Sequence, residues 1–527
     1  VLFRSLLLYF EIMPVVLSDH CKALLESLPE PKSLWKYMLA LTQVPRGSNK
    51  RGETVNNKRI TAFLKETAEE LGCETYVDSG ENLIIRKKAT PGYEDKPIVC
   101  LQGHMDMVCQ KNDEVAIDFL KDPIIPRIDG DYLKASGTSL GGDDGIGVAA
   151  CFAILEDKEL KHGPLEILIT RDEEIGLVGA SQLEPNVLKA KYLINVDSEA
   201  ENSVCVGCSG SFTLEMTLPT TRVETPNTVL RQIVLNNFLG GHSGCDIHRG
   251  RAHPLVVLGR MLMAADDCGT RLVNIDCGTA RNAIPRKCVA VVAVPAEKVS
   301  TFEEKIMAEF KNFHHEYNSI EKSATCDITE GSASMLPCDE VSSRNFVNFI
   351  VTYPFGVQRY SPECKDFVET SVNCGISQTL ENGSIMFTSS VRSSSQSQIN
   401  MMYNKIVCIC RMCNMTWSEK IGAYPGWEPN MKSPLTLSMV AAYENVIHRS
   451  PYLYSIHAGL ECGLFLEKYP HLDCVSVGPE LNFPHTPEER LLISSVEPLY
   501  KVLCCCLKNL YELTVYLNKQ LTMSLPD

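Results

Sequence analysis

At about 100–200 residues per domain, the 527 residues of the chain predict roughly two to four domains. Apolar residues make up 44% of the chain and charged residues 22%, a globular composition that excludes a disordered or fibrous protein. The formal net charge of -15 argues against a nucleic-acid partner, because phosphate binding requires concentrated basic side chains.

The N-terminal segment predicts neither a membrane span nor a signal peptide. The apolar run 2–17 is interrupted by Arg4 and Glu11, and no small-residue cleavage site follows it. We interpret Met13 as the start and residues 1–12 as a non-native extension. The 23 cysteines lie mainly in apolar runs, which predicts free thiols in a reducing, cytoplasmic compartment.

Predicted strands and helices alternate towards both ends of the chain. In chain order they are a helix over 59–72, a strand over 98–101, a helix over 146–155, and strands over 165–169, 192–196 and 474–477. This β-α-β order predicts the α/β fold class, with a sheet domain that has helices on both faces.

The middle of the chain, residues 213–421, has a different pattern. It opens with polar alternation, contains a predicted helix near 302–316, and includes a serine-rich segment at 389–397 that is typical of a strand end or turn. We predict an inserted α+β domain here, so that residues 13–212 and 422–527 together form the α/β domain.

Acidic or imidazole side chains follow each predicted parallel strand. Because functional residues gather beyond the carboxyl ends of strands in open α/β sheets, these side chains are expected to meet. Each motif alone is typical of a turn, a cap or a solvated charge. Together they form a mixed nitrogen and oxygen ligand set that suits zinc, with manganese or cobalt as substitutes: His104, Asp143, Glu174, Asp197 and His485.

Five ligands are too many for one tetrahedral zinc ion with an open position. They suit two ions that share one carboxylate, and Asp143 is the natural bridge. Asp106 lies two residues past His104, where it can accept the ring N–H and fix the tautomer. Glu173 precedes a ligand and can take a proton from the attacking water and return it to a leaving amine.

Two cysteine clusters are an alternative location for metal. Cys205 and Cys208 form a C-x-x-C motif, and Cys408, Cys410 and Cys413 form a trio. A structural zinc site needs four ligands, usually from paired knuckles, and neither cluster has a second knuckle nearby.

A set of longer motifs carries a family resemblance from about residue 30 to 515. The motifs include Gln102-Gly-His104-Met-Asp106, Gly141-Gly-Asp143-Asp144-Gly, Glu173-Glu174-Ile-Gly, Gly240-Gly-His242-Ser-Gly244 and Gly478-Pro-Glu-Leu-Asn-Phe-Pro-His485. The chain resembles the aminoacyl-histidine dipeptidases, also called cytosol non-specific dipeptidases. These belong to the di-zinc exopeptidase family that includes tripeptidase T, carboxypeptidase G and aminoacylase-1.

The resemblance implies two zinc ions per subunit, with manganese or cobalt as substitutes. His104 and Asp197 would hold one ion, Glu174 and His485 the other, and Asp143 would bridge them. Several positions depart from the family pattern, such as Thr486 where relatives more often have serine and Asp144 where close relatives often have asparagine, but none removes a ligand.

The resemblance also implies that the inserted domain is a lid and the site of homodimerisation. His242 would polarise the scissile carbonyl, in its own subunit or the partner's, and Asn282, Arg392 and Gly459 would bind the substrate. From the residues alone, His242 could be a turn histidine, Arg392 a solvated strand residue, and Gly459 a purely conformational glycine.

The function expected from the resemblance is metal-dependent hydrolysis of unblocked dipeptides, Xaa-His and more broadly Xaa-Xaa. Glu173 would be the general base for a water activated by two zinc ions, and Asp106 the orienting carboxylate. The alternatives are a related amide hydrolase (an aminoacylase, deacetylase or carboxypeptidase) and an inactive homologue that binds metal or peptide. The expected partners are a dipeptide and a second copy of the chain. Neither a nucleic acid nor a membrane is expected as a partner.

Overall fold

The computed structural model of the chain describes residues 17–49, 55–364 and 366–523, with side chains described to residue 510. The predicted extension 1–12 and the start at Met13 lie outside the described residues.

The described chain divides into two compact units. The first contains the residues up to Val206, Asn430–Tyr454 and the residues from Leu460 onward, and the second contains Gly207–Pro429 and Ser455–Gly459. The sequence-based domain bounds 13–212, 213–421 and 422–527 stay predictions.

The helices and strands follow one another in chain order. Up to residue 208 they are α1 (Asp19–Ser27), α2 (Lys32–Thr42), α3 (Val55–Glu70), β1 (Glu74–Val77), β2 (Leu83–Lys87), β3 (Val99–His104), β4 (Pro126–Asp129), β5 (Tyr132–Ala135), α4 (Gly142–Glu156), β6 (Leu165–Thr170), α5 (Val178–Gln182), β7 (Tyr192–Asn195) and β8 (Ser203–Cys208). Next come β9 (Gly210–Leu218), β10 (Thr228–Asn236), β11 (Gly241–His242), α6 (Pro254–Ala264), β12 (Arg271–Cys277), β13 (Ala283–Ile284), β14 (Cys288–Pro295), α7 (Val299–Glu316), β15 (Thr325–Glu330), α8 (Glu340–Thr352), β16 (Gly356–Tyr360), β17 (Val368–Thr379), β18 (Ile385–Ser393), α9 (Gln396–Met412), β19 (Thr416–Trp417) and β20 (Ile421–Tyr424). The last are α10 (Pro434–Ile447), β21 (Tyr452–Ile456), α11 (Glu461–Lys468), β22 (Asp473–Ser476), β23 (Leu481–Asn482), β24 (Arg490–Leu492) and α12 (Ile493–Met523).

The first unit is built on an eight-stranded sheet in the order β1-β2-β6-β3-β7-β22-β8-β21. The four strands β6, β3, β7 and β22 are parallel, and they coincide with the four strands predicted from apolar runs. They are almost wholly buried, which suits strands covered by helices on both faces. The predicted α/β fold class is therefore confirmed, and the carboxyl ends of these four strands share one edge of the sheet.

Helix α4 lies in the core of the first unit. It is alanine-rich and buried all round, and it packs against α2 and against β3. The helix predicted over 146–155 is α4, which extends further at its N-terminus and begins at Gly142. Its position brings residues 141–145 to the edge at which the parallel strands end.

The second unit contains a mainly antiparallel ten-stranded sheet covered by helices such as α6, α7 and α8. The helix predicted near 302–316 is α7. The serine-rich segment contains the C-terminal end of β18, which confirms the predicted strand end. Ser389 and Ser390 in this part of β18 are buried, and their hydroxyl groups are hydrogen-bonded to the Asn373 carbonyl and to Ser243 Oγ. Among the described helices, none combines the length and the apolar character that crossing a membrane requires.

Candidate active site

The ends of the four parallel strands deliver the predicted ligands. His104 is the last residue of β3, Glu174 lies four residues after β6, and Asp197 lies two residues after β7. His485 follows β22 by a longer route, in the loop between β23 and β24. Asp143 and His485 are 342 positions apart in the sequence. The topology of the sheet therefore brings these side chains to one edge.

Asp143 reaches the same edge from the first turn of α4. Its backbone is not helical (φ -82°, ψ 115°), and it follows Gly141, which is left-handed at φ 68°. The left-handed backbone conformation favours glycine, because glycine has no Cβ. This irregular first turn directs the carboxylate of Asp143 between the two histidines.

The side chains form two groups that share Asp143. His104 Nε2 lies 2.9 Å from Asp143 Oδ1 and 3.3 Å from Asp197 Oδ1. His485 Nε2 lies 3.0 Å from Asp143 Oδ2 and 2.9 Å from Glu174 Oε2. In each group the three ligand atoms lie within 4.8 Å of one another, so each group could hold one metal ion. Asp143 contributes a different oxygen to each group.

The chemistry of these side chains fits two divalent cations. Three carboxylates converge on two imidazoles, and Glu174 Oε1 is buried without a hydrogen-bond partner among the described residues. Hydrogen bonds to Asp143 and Glu174 raise the pKa of His485 to about 11, so this pocket of carboxylates attracts positive charge strongly. Imidazole nitrogens and carboxylate oxygens with this sharing pattern are the ligands of two-metal hydrolase sites.

Asp106 is fully buried beneath His104. Its Oδ1 lies 3.5 Å from His104 Nδ1 and accepts a hydrogen bond from the backbone N–H of Glu173 at 3.0 Å. Its Oδ2 accepts a hydrogen bond from Ser48 Oγ at 2.7 Å. Asp106 is thus fixed from two directions and faces the ring nitrogen opposite to the one that points at Asp143 and Asp197.

Glu173 lies beside the ligands without belonging to either of the groups that share Asp143. One of its oxygens lies within 4.8 Å of ligand atoms of His104 and Glu174. Burial raises the pKa of Glu173 well above its usual value, and Asp197 and Glu461 contribute to the shift. A carboxylate with a raised pKa is a better proton acceptor than an exposed glutamate.

Among the predicted substrate-binding residues, His242 lies in the second unit with its tautomer fixed. His242 Nδ1 accepts hydrogen bonds from the backbone N–H groups of Gly244 at 3.2 Å and Cys245 at 3.0 Å. Burial and the nearby Arg392 lower the pKa of His242, so the neutral ring is favoured. The ring proton then lies on Nε2, which makes that nitrogen a hydrogen-bond donor.

Arg392 and Gly459 lie near His242 in the same unit. A Cβ placed on Gly244 of the histidine loop would lie 3.3 Å from Arg392 Nε. Arg392 donates a hydrogen bond to Tyr424 Oη at 3.3 Å, while its Nε has no partner among the described residues. A Cβ on Gly459 would lie 2.8 Å from the Tyr424 ring, so a glycine is required for this close approach.

Asn282 is placed beside the histidine loop by a short two-stranded pairing. His242 of β11 pairs with Ala283 of β13, and the Asn282 carbonyl accepts a hydrogen bond from the Ser243 N–H at 2.8 Å. Asn282 therefore holds the loop through its backbone.

The sequence-based list of site residues omitted Tyr424 and His457. His457 is buried, and its Nε2 lies 2.7 Å from Ser371 Oγ. Burial, followed by the charge of Arg392, lowers the pKa of His457 to about 3. Both residues lie in glycine-containing motifs of the sequence, Gly422-Ala-Tyr424-Pro and His457-Ala-Gly459. These motifs are the sequence signal from which the two residues could have been found.

The cysteine clusters do not form comparable sites. Cys205 and Cys208 are buried in β8, and Cys408, Cys410 and Cys413 belong to α9 or its C-terminal end. Within the described ranges, no group of three or more metal-capable side chains includes a cysteine.

Comparison with known proteins gives consistent results. Residues 100–509 match the model of peptidase family M20/M25/M40. The chain is 35% identical to the cytosol non-specific dipeptidase of Escherichia coli (strain K12) over 91% of its own length and 98% of that protein. The crystal structure of aminoacylhistidine dipeptidase from Vibrio alginolyticus superimposes with a TM-score of 0.86 at 37% identity, covering 92% of this chain and 97% of that one. A tripeptidase from Staphylococcus aureus shares the fold with a TM-score of 0.51 at 16% identity, covering 92% of this chain and 99% of that one.

Proposed function

The chain belongs to peptidase family M20/M25/M40, and on that premise we propose that it is a metal-dependent dipeptidase that hydrolyses unblocked dipeptides. Hydrolysis of peptide bonds is its reaction class, and the proteins it resembles over almost their full length are named dipeptidases. The observation that carries the metal-dependent part is the sharing of Asp143 between two groups of potential ligands.

Two divalent ions, which we expect to be zinc, would be held by the five ligands. His104 and Asp197 would hold one, Glu174 and His485 the other, and Asp143 both. Such ions supply Lewis-acid chemistry, which polarises a carbonyl group and lowers the pKa of water. Manganese or cobalt would be accepted by the same nitrogen and oxygen ligands.

Glu173 would act as the general base. Its carboxylate lies next to the ligands, where it can accept a proton from the attacking water and pass that proton to the departing amine. Asp106 would hold the His104 ring through Nδ1, so that Nε2 stays directed at Asp143 and Asp197. Neither role requires any residue outside the first unit.

The second unit would bind the substrate. Arg392 carries an unpartnered Nε and could pair its planar guanidinium with the terminal carboxylate of a dipeptide in two places. His242 would donate its Nε2 proton to the scissile carbonyl oxygen, and Asn282 and Gly459 would shape the surrounding pocket. Because both ends of a dipeptide must be recognised, a free carboxylate is expected to be essential.

The test combines metal analysis with a substrate panel. The protein is purified without chelator, and its metal content is measured by mass spectrometry. Values of kcat/KM are then compared for Xaa-His and other Xaa-Xaa dipeptides, N-acetyl amino acids and N-acetyl dipeptides. We expect about two ions per chain, a preference for unblocked dipeptides, and loss of activity on chelation that zinc or manganese restores. Preference for N-acylated substrates would instead indicate an aminoacylase or deacetylase, and metal-loaded protein without any hydrolysis an inactive homologue.

We also propose a cytoplasmic location and a homodimer formed through the second unit. The homodimer is proposed from the family resemblance, and the cytoplasmic location is supported also by the cysteines, which lie mainly in apolar runs. Sedimentation analysis of the purified chain tests the dimer, since a mass near 58.5 kDa would correspond to the monomer. Fractionation of the source cells tests the location.

A further inference from the structure

The loop that carries His485 ends in a buried glutamate. Strands β23 and β24 pair in an antiparallel hairpin, with Leu481 opposite Leu491 and Asn482 opposite Arg490. His485 lies in the connecting loop and is half exposed, whereas Glu489, four residues later, is only 2% exposed. Among the described residues no ion pair involves the Glu489 carboxylate, so this buried group requires strong hydrogen bonds.

Glu489 finds these hydrogen bonds in the backbone of the segment that carries Asp143. Its Oε2 accepts hydrogen bonds from the N–H groups of Leu140 at 2.6 Å and Gly141 at 3.0 Å. Its Oε1 accepts hydrogen bonds from Gly142 at 2.7 Å and from Asp143 itself at 3.3 Å. Helix α4 has no capping hydrogen bond from a side chain of its own N-cap. Glu489, which is 347 positions from Gly142, accepts hydrogen bonds from the first N–H groups of the helix instead.

Arg46 holds the same segment from the other side. It is 3% exposed, and it donates hydrogen bonds to the carbonyl oxygens of Gly141 and, at 2.8 Å, of Asp106. It also lies 3.2 Å from the Met105 carbonyl oxygen. Residues 105 and 106 directly follow the ligand His104. Gly141 is therefore bound through its N–H by Glu489 and through its carbonyl by Arg46.

The two glycines of the Gly141-Gly142-Asp143 motif make room for these charges. A Cβ on Gly141 would lie 2.6 Å from Arg46 Nη2, and a Cβ on Gly142 would lie 3.1 Å from Glu489 Oε1 and 2.7 Å from a methyl carbon of Leu481. The motif thus has a packing explanation in addition to the left-handed backbone at Gly141.

We infer that Glu489 is a positioning residue that fixes the bridging carboxylate of Asp143 relative to His485, while Arg46 fixes the same segment relative to His104. The inference rests on the proposed function, because it concerns how the metal ligands are held. Glu489 lies on the hairpin of one ligand and binds the backbone of another, so a shift of either segment changes both groups that share Asp143. Groups that orient metal ligands from behind typically change metal affinity by about 10–100-fold when they are replaced.

The test compares Glu489→Gln with Glu488→Gln. The two glutamates are neighbours, but Glu489 is buried and Glu488 is exposed. The glutamine amide presents N–H groups to backbone N–H groups, so the variant loses acceptors while it keeps its volume. Binding of Mn²⁺ to chelator-treated protein is measured by isothermal titration calorimetry, and electron paramagnetic resonance reports whether two bound Mn²⁺ ions are magnetically coupled.

We expect Glu489→Gln to weaken Mn²⁺ binding by about 10–100-fold and to reduce the coupled signal, while Glu488→Gln matches the unsubstituted chain. If Glu489→Gln lowers only the thermal midpoint of the metal-free protein, and its Kd and coupling are unchanged, Glu489 is merely a helix cap and the inference is overturned. If Glu489→Gln does not fold without metal, Glu489→Asp replaces it, and an unchanged Kd in that shorter variant overturns the inference equally. An unsubstituted chain that binds no Mn²⁺ would instead contradict the proposed function itself.

Discussion

Replacement of Arg392 by lysine tests substrate recognition in the second unit. Arg392 is 8% exposed, lies in β18, and has one guanidinium nitrogen, Nε, without a partner among the described residues. Lysine keeps the charge but cannot pair with a carboxylate in two places. Arg392→Lys is therefore expected to lose at least one charge-assisted hydrogen bond to the terminal carboxylate of the substrate.

The size of the loss follows from that geometry. A hydrogen bond to a charged group contributes about 1.5–3 kcal/mol, so the loss of one predicts roughly a 10- to 150-fold decrease in kcat/KM for a free dipeptide. A dipeptide amide has no carboxylate to lose, so its kcat/KM should change much less. The ratio of kcat/KM for the dipeptide to that for its amide should therefore fall by the same 10- to 150-fold factor in the variant.

The assay measures kcat/KM for one dipeptide and its C-terminal amide in three proteins. Arg344→Lys is the matched control, because Arg344 lies in the same unit on α8 and its side chain is 59% exposed. The control should keep the ratio of the unsubstituted chain. An Arg392→Lys variant that loses activity equally on both substrates would refute carboxylate recognition by Arg392 and would indicate a folding defect instead.

Three further substitutions give expectations that are independent of Arg392. Asp143→Ala should lower the metal content measured by mass spectrometry, because both ligand groups lose a member. The control is Asp113→Asn, at an exposed position. A full metal complement in Asp143→Ala would contradict the bridging role. Glu173→Gln should lower kcat by about 10²–10⁴ with its metal content unchanged, and an active variant would exclude Glu173 as the base. Burial lowers the pKa of His253 from the usual value near 6.5 to about 4. The contribution of the neutral ring to the free energy of unfolding is therefore fully present above pH 6.5, and about 3 kcal/mol is lost as the pH falls towards 4. His253→Gln should flatten the pH dependence of the urea midpoint over that range, and an unchanged slope would show that other groups cause it.

The strands of the first unit and the meeting of the proposed ligands can be predicted because their signals are local. Apolar runs predict β3, β6, β7 and β22, and the rule that polar side chains gather at the carboxyl ends of parallel strands predicts that the proposed ligands meet. Composition predicts the helix over 146–155, but it does not predict the conformation of the first turn. Asp143 there has a backbone that is not helical, and the support comes from Glu489, which no local pattern connects to it.

The serine-rich segment shows what composition predicts in the second unit and what it does not, because β18 ends within it as predicted but its serines are buried. The serine run 389–397 predicts a strand end or turn, and β18 ends at Ser393 within it. The burial of Ser389 does not follow from the pattern: Tyr353 Oη contacts its hydroxyl, and that hydroxyl donates to the Asn373 carbonyl. A hydroxyl group is tolerated inside a sheet when it is hydrogen-bonded, and its partners belong to distant elements that the sequence does not reveal. Tyr424 and His457 were missed as individual residues for the same reason, because their relation to Arg392 exists only after folding.

The buried side chains of Arg46 and Glu489 explain why sequence motifs can predict which residues are ligands but not how the positions of those residues are fixed. His104, Asp143 and His485 come from three segments, and Gly141 is the point at which all three are joined, through Arg46 on one side and Glu489 on the other. Both charged groups are nearly free of solvent, and their hydrogen bonds are made with backbone atoms. Substitution of a proposed ligand would remove a metal contact directly, whereas substitution of Glu489 would leave all five proposed ligands present and change only their spacing. Comparison of Asp143→Ala with Glu489→Gln therefore separates the identity of the proposed ligands from their placement. We expect the first to lower the metal content at both positions and the second to weaken binding while all five side chains remain.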